Sequence, residues 1–155
     1  MEPCKNDVVN APKSHLPSDY TGFLFRRAQQ AHAAAWQTEV SSEVTSVQYG
    51  VLLVLSRLPG ASQTRLCEEL DLDRSTIAHV VARLQRRGLL ARSRDEADAR
   101  RNVLALTTDG QRELARLEPR VERVDAVLNA DLTDQEASDL RRLLRVVLDR
   151  GQRVP

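Results

Sequence analysis

Residues 74–101 contain the side chains of this sequence that are best suited to contact a nucleic acid. The segment holds eight arginines and three acidic residues, a formal charge of +5 in a chain whose net charge is +1. Four of its polar side chains stand at its start: Arg74, Ser75, Thr76 and His79. Hydroxyls can bond bases or phosphates, an imidazole can donate to a guanine edge, and guanidinium groups bind phosphates. The composition predicts a surface that meets duplex DNA, with Arg74 and Arg83 on phosphates.

A helix is expected to carry these side chains. Ile77 and Leu84 belong to an apolar set at helical spacing, and Asp73 is a suitable N-cap. Gly88 marks the end of the helix, because glycine adopts the left-handed conformation there without steric cost. A polar, arginine-rich turn and the apolar residues 103–106 follow, and this order predicts a β-hairpin.

A second, shorter helix is predicted just before this one. Ser62 is a suitable cap for a helix over Gln63–Leu70, and residues 71–73 make a tight turn between the two helices. Two short helices joined in this way form a helix-turn-helix, whose second helix enters the major groove of DNA.

Longer helices are predicted on both sides of this unit, and the 155 residues are expected to form a single domain. Residues 1–18 lack periodicity and are expected to be a loose arm. The predicted helices run over Thr21–Ser42, Val47–Arg57 (opened by a capping box of Thr45 and Gln48), Asp109–Ala130 and onward from a cap at Thr133.

Three features of the central segment carry a family resemblance. They are the helix start DRST at 73–76, the helix end RGLL at 87–90, and a D-x-R pattern, Asp98 and Arg100, seven residues before Thr107. Together they resemble the winged helix-turn-helix of the MarR (multiple antibiotic resistance regulator) family. The likeness extends over roughly Thr21–Arg150.

The resemblance implies a mainly α fold and a DNA-binding transcriptional regulator, most often a repressor. A winged helix-turn-helix with a short β-hairpin wing would span residues 45–107, between dimerisation helices over 21–42 and 108–151. Arg100 would enter the minor groove, where a narrow groove concentrates negative potential, and Asp98 would brace it. Arg94 and Arg101 are expected to contact phosphates or to form salt bridges within the wing.

The apolar stripes of the first helix and of the last two helices exceed what a winged helix-turn-helix of some 60 residues can cover. A homodimer is the simplest way to bury them, since most soluble oligomers have two-fold symmetry. The family resemblance implies the same dimer.

The aromatic residues suggest a ligand site. Phe25, His32 and Trp36 share one face of the first helix, and Tyr49 lies on the next helix. An apolar cleft with a few polar groups suits a small aromatic acid, and Arg26 or Arg27 could pair with its carboxylate. In the MarR family, which this sequence resembles, ligands bind between the dimerisation helices and the winged helix-turn-helix. The alternative is that these aromatic side chains belong only to the core or the dimer interface.

Other function classes find less support. The sequence has no nucleophile elbow, phosphate loop, zinc-protease helix motif or paired-cysteine motif, and its three histidines lack metal-ligand spacing, so we expect neither an enzyme nor a cofactor. A thiol-based redox sensor would depend on Cys67, which is predicted to be buried and inert, or on Cys4 in the arm. A winged-helix module that binds only protein would not need the arginines of the wing.

The expected location is the cytoplasm. Two cysteines cannot form a disulfide framework, no apolar run approaches the ~20 residues that span a bilayer, and the N-terminal residues lack a secretory apolar region.

Overall fold

The computed structural model describes residues 16–40, 43–94 and 102–151 of the chain. Within these ranges a short 3-10 helix, six α-helices and a two-stranded antiparallel sheet follow one another. The helices are α1 (Thr21–Glu39), α2 (Ser46–Arg57), α3 (Gln63–Leu70), α4 (Arg74–Arg86), α5 (Thr108–Leu128) and α6 (Asp134–Gly151), and the strands are β1 (Leu90–Arg94) and β2 (Asn102–Leu106). The predicted mainly α, winged helix-turn-helix fold is confirmed.

Side-chain caps set the starts of α3 and α4, as predicted. The Ser62 hydroxyl accepts a hydrogen bond from the backbone N–H of Arg65 at 3.2 Å, and the Asp73 carboxylate accepts one from Thr76 at 2.8 Å. Between the helices Asp71 adopts a left-handed conformation with φ of 50°, which aspartate tolerates better than most residues. Asp71 is the C-cap of α3 and begins the turn, over residues 71–73, into α4.

Helix α2 is the centre of the core. The capping box is present at its start, where Thr45 and Gln48 exchange two hydrogen bonds of 3.2 Å. Its apolar side chains pack against α3, α4, α5 and β2. The largest fully buried side chains come from all of these elements: Leu52, Leu55, Leu66, Ile77, Leu84, Leu104 and Leu117.

The wing begins directly after α4. Gly88 has φ of +72°, which allows the chain to leave the helix and enter β1. The strands pair in register from Leu90 opposite Leu106 to Arg94 opposite Asn102. The predicted tip residues Asp98, Arg100 and Arg101 lie outside the described residues.

A compact joint connects the wing to α5. The Thr107 hydroxyl donates to the Gly88 carbonyl at 2.6 Å, and the Thr107 N–H donates to the Leu89 carbonyl at 3.1 Å. The same hydroxyl accepts from the N–H of Gly110 at 3.0 Å and so caps α5. Gly110 lies so close to the sheet that a Cβ atom there would be 2.1 Å from the Leu89 carbonyl oxygen.

Several boundaries differ from the sequence prediction. Helix α2 begins at Ser46 rather than Val47, and α5 spans Thr108–Leu128 rather than Asp109–Ala130. Helix α1 ends at Glu39 rather than Ser42, because Val40 and Val44 are both buried and the Trp36 indole N–H donates to the Val44 carbonyl at 2.7 Å. The last residues of the arm predicted over 1–18 belong to a 3-10 helix, Pro17–Asp19, in which the Asp19 carboxylate accepts from the N–H of Leu16, and residues 1–15 lie outside the described residues. Proline presets the first turn of this helix.

The first and last helices expose much apolar surface. Helix α1 packs on α5, where Arg123 pairs with Glu39 at 3.1 Å and Arg120 donates to the Val40 carbonyl at 2.9 Å. Of the described side chains of α6, only Ala137 is buried. Its stripe of exposed apolar side chains is Leu140, Leu143, Leu144, Val147 and Leu148.

The joint predicts an unequal response to two glycine substitutions. We expect Gly110→Ala to lower the free energy of unfolding by about 1–3 kcal/mol, since the added methyl group meets backbone that cannot move aside easily. Gly22→Ala in α1 meets no atom within 4 Å and should be neutral or stabilising by up to about 1 kcal/mol. Urea unfolding at one fixed protein concentration measures both values. Equal stability of the two variants would contradict the close approach at Gly110.

Candidate nucleic-acid interface and effector site

The carboxylate of Asp73 organises the first turn of α4. One of its oxygens accepts from the Ser75 hydroxyl at 2.5 Å and from the Thr76 N–H at 2.8 Å, and the other accepts from the Thr76 hydroxyl at 2.6 Å. Hydrogen bonds from Ser75 and then Thr76 hold the pKa of this carboxyl well below its usual range. The predicted base-reading hydroxyls are therefore both anchored to the cap.

His79 lies one turn further along α4. Its ring is exposed, and Nδ1 lies 2.8 Å from the carbonyl oxygen of Ser75. Ser75 and His79 are consequently held side by side on the solvent face of the helix. Arg83 is exposed another turn along α4, and Arg94 is exposed at the end of β1.

A groove of about 620 Å³ runs between the start of α3, the start of α4 and the sheet. Sequence reasoning placed one of its residues, Arg74, at the interface. The other lining residues were not among the predicted contacts: Ser62, Gln63, Thr64, Arg65, Glu68, Arg92, Asn102 and Leu104. The predicted helix-turn-helix could have indicated the α3 residues as phosphate contacts, because the first helix of this motif crosses the DNA backbone.

The two newly found arginines of this groove differ in their partners. Arg65 forms salt bridges with Glu68, at 3.1 Å, and with Glu69. Arg92 has no acidic partner within the part of the chain that the structure describes, and it stands opposite Leu104 in the sheet. The guanidinium group of Arg92 is thus the more available of the two for a phosphate.

A second, smaller cavity lies between α1 and the start of α2. Its volume is about 220 Å³. His32 and Trp36, both predicted ligand contacts, line it together, and their ring centroids are 5.9 Å apart. Tyr49 stands against Trp36 in an edge-to-face arrangement, also at 5.9 Å, and supports the cavity wall from the core side.

The other predicted ligand contacts do not line this cavity. Phe25 is 39% exposed, Arg26 stacks over the Phe23 ring at 4.9 Å, and Arg27 is exposed. The lining residues that sequence reasoning missed are mostly polar: Gln29, Ala33, Gln37, Thr45 and Ser46. The sequence predicts Thr45 only as a helix cap, because a capping pattern does not show that the residue also faces the neighbouring helix.

Two further observations concern other kinds of site. Cys67 is a free thiol, partly buried against the core. In the described ranges no cluster of histidine, cysteine and acidic side chains could hold a metal ion, and no helix there is long and apolar enough to cross a membrane.

Comparisons with known proteins identify the family. Residues 42–101 match the model of the MarR family. The PcaV transcriptional regulator of Streptomyces coelicolor, solved with its natural ligand, is 45% identical, with a TM-score of 0.85 over 89% of this chain and 98% of PcaV. This chain belongs to the MarR family of transcriptional regulators.

Two other relatives of this MarR-family protein are informative. The transcriptional repressor NicR of Pseudomonas putida is 31% identical over 94% of both chains. The structure of BpsR from Bordetella bronchiseptica, whose DNA binding is regulated by 6-hydroxynicotinic acid, is 32% identical with a TM-score of 0.83. That alignment covers 87% of this chain and 97% of BpsR.

For this MarR-family regulator, the groove predicts different roles for two neighbouring arginines. We expect Arg92→Ala to weaken binding to all DNA sequences alike and to reduce the slope of log K against log salt by about 1, because one phosphate contact is lost. Arg65→Ala should change that slope less, since its charge is already paired with two glutamates. Titration of a labelled duplex at several salt concentrations measures both slopes. A larger change for Arg65→Ala would show that the groove does not meet phosphates in this way.

Proposed function

We propose that this protein is a repressor that binds a pseudo-palindromic operator as a homodimer and leaves it when a small aromatic acid binds. The observation that carries the DNA part is the exposed face of α4, where Ser75 and His79 stand beside the arginine-lined groove. Side chains able to read bases are thus flanked by cations able to hold phosphates. The expected contacts of Asp98, Arg100 and Arg101 at the wing tip belong to the same proposal.

The apolar surface of the protomer supports the dimer. Leu143 and Leu148 of α6 are 52% and 63% exposed, and Leu24 of α1 is 51% exposed. The stripe on α6 is an exposed apolar surface of the kind that usually marks a contact with another protein. A second copy is the partner proposed here, because one reading helix per subunit then faces each half of a symmetric site.

The cavity between α1 and α2 supports the effector. Its size suits one aromatic ring, and it offers the imidazole of His32, two glutamine amides and two hydroxyls along with the indole of Trp36. Sites for small molecules commonly combine an aromatic wall with a few placed polar groups. NicR is named as a repressor, and 6-hydroxynicotinic acid regulates BpsR, which makes a ring acid the chemical class that we propose.

Neither Arg26 nor Arg27 lines the cavity. The proposed partners of the ligand's carboxylate are therefore His32 and the other polar side chains that line the cavity. An arginine could join only by a change of side-chain conformation, which for Arg26 would mean leaving the Phe23 ring. A ligand that releases DNA must bind the DNA-free conformation more tightly than the DNA-bound one. The cavity and the reading helix are therefore expected to be linked thermodynamically.

The operator tests the DNA-binding and dimer proposals together. Footprinting on a duplex selected from random sequence should show two half-sites whose centres lie about one helical turn, ~10 bp, apart. The double variant Leu144→Glu/Val147→Glu should be monomeric and should lose this footprint, since a buried unpaired charge costs several kcal/mol. Arg145→Glu, on the polar side of α6, should keep the dimer and the two half-sites. A single asymmetric footprint for the unaltered protein would overturn the proposal.

The effector proposal is tested by filling the cavity. Benzoates, hydroxybenzoates and hydroxynicotinates are titrated while the fluorescence of Trp36, the sole tryptophan, and operator binding are followed. We expect at least one compound to change both signals, and Ala33→Leu to weaken that response at least tenfold because the side chain enters the cavity. Ala34→Leu, which does not line the cavity, is the matched control and should respond normally. If no compound changes either signal, the cavity is not an effector site.

A further inference from the structure

The hydrogen bond of His79 determines which of its ring nitrogens carries a proton. A carbonyl oxygen can only accept, so Nδ1, at 2.8 Å from the Ser75 carbonyl, must be the donor. In the neutral imidazole the other nitrogen, Nε2, then has no proton and offers a lone pair. Nε2 has no hydrogen-bond partner among the residues that the structure describes, and the ring is exposed. The free end of His79 is therefore an acceptor.

The hydroxyl of Ser75 has the same polarity. A serine hydroxyl has one proton, and Ser75 donates it to the Asp73 carboxylate at 2.5 Å. Thr76 likewise donates its hydroxyl proton to the second oxygen of that carboxylate, at 2.6 Å. What these hydroxyls can still offer to a ligand is lone pairs.

We propose that His79, with Ser75 beside it, reads the operator as a hydrogen-bond acceptor and so selects base pairs by an exocyclic amino group. In the major groove the donors are N6 of adenine and N4 of cytosine, whereas O6 and N7 of guanine are acceptors. This inference rests on the proposed operator binding and deepens it. It replaces the sequence-based expectation that His79 donates to a guanine edge.

The acceptor character of His79 and Ser75 also separates base contacts from phosphate contacts. Phosphate oxygens only accept hydrogen bonds, so an acceptor face gains nothing from the DNA backbone, and the exposed arginines hold the backbone instead. Arg74 and Arg92 line the groove on one side of Ser75, and Arg83 lies further along α4. His79 is consequently a specificity-determining residue rather than a source of general affinity.

The test removes single functional groups from the bases of the DNA. Duplexes are selected from a random library at about pH 8.5, where imidazole side chains are neutral, by the wild-type protein and by His79→Ala. The positions whose preference depends on His79 are then rebuilt with bases that lack one group. Nebularine replaces adenosine and lacks its amino group, and 2-pyrimidinone likewise replaces cytosine and lacks its amino group. The 7-deazapurines lack the N7 acceptor.

We expect loss of the amino group to weaken wild-type binding roughly tenfold and to leave His79→Ala binding nearly unchanged. Loss of N7 should affect both proteins equally. A His79-dependent loss with 7-deazapurines would show that His79 donates, and the absence of any His79-dependent position would show that it does not read bases; either result overturns the inference. Recovery of no preferred sequence at all would instead overturn the proposed operator binding together with this inference.

A second pair of variants tests the role of the cap. Asp73→Asn keeps an oxygen for the Thr76 N–H but replaces the other oxygen by an NH₂ group, which donates. The Thr76 hydroxyl, which faces the replaced oxygen, must then accept from that group and turn its own proton outward, so the selected bases should change at the position next to Thr76. Asp71→Asn removes the same charge two residues away, at a left-handed position that asparagine tolerates. Asp71→Asn should raise affinity for all sequences without changing the preferred bases, and identical preferences for the two variants would contradict the inference.

Discussion

The carbonyl groups of Gly88 and Leu89 are the point on which the arrangement of this molecule depends. Both accept hydrogen bonds from Thr107, and Gly110 lies against the second of them. The end of α4, the first strand of the wing and the start of α5 therefore meet at these carbonyl groups. Because α5 packs on α1, this joint connects the end of α4 to the helix that carries one wall of the cavity.

Residues 43–45, directly before α2, make a second connection between the cavity and α4. Trp36 holds the Val44 carbonyl from the cavity side, and Thr45 lines the cavity itself. The carbonyl of Glu43 accepts from Arg87, the C-cap of α4, at 3.4 Å, and Arg87 also faces Glu113 of α5 at 3.8 Å. A displacement of Glu43 would thus change its contact with Arg87 at the end of α4. In the proposed response to a ligand, these contacts are a route by which the cavity and α4 could be coupled.

Features of the fold that arise from neighbouring residues could be predicted from the sequence, and features that arise from distant ones could not. The caps at Thr45, Ser62 and Asp73 depend on side chains within three residues, and each was predicted correctly. The end of α1 was predicted three residues too late, because burial of Val40 against the core ends it. The roles of the individual site residues remain predictions. The groove around Arg92 combines three elements, and no local pattern reveals such a combination.

The nearly unburied helix α6 has a consequence for gene dosage. Only Ala137 among its described side chains is buried within the protomer, so most of its folding free energy would have to come from association with a second subunit. In the proposed dimer the species that binds DNA then forms in proportion to the square of the free subunit concentration. A twofold fall in synthesis would lower the concentration of that species about fourfold when most chains are monomeric. In that dimer the exposed stripe would make occupancy of the operator depend on the abundance of the regulator.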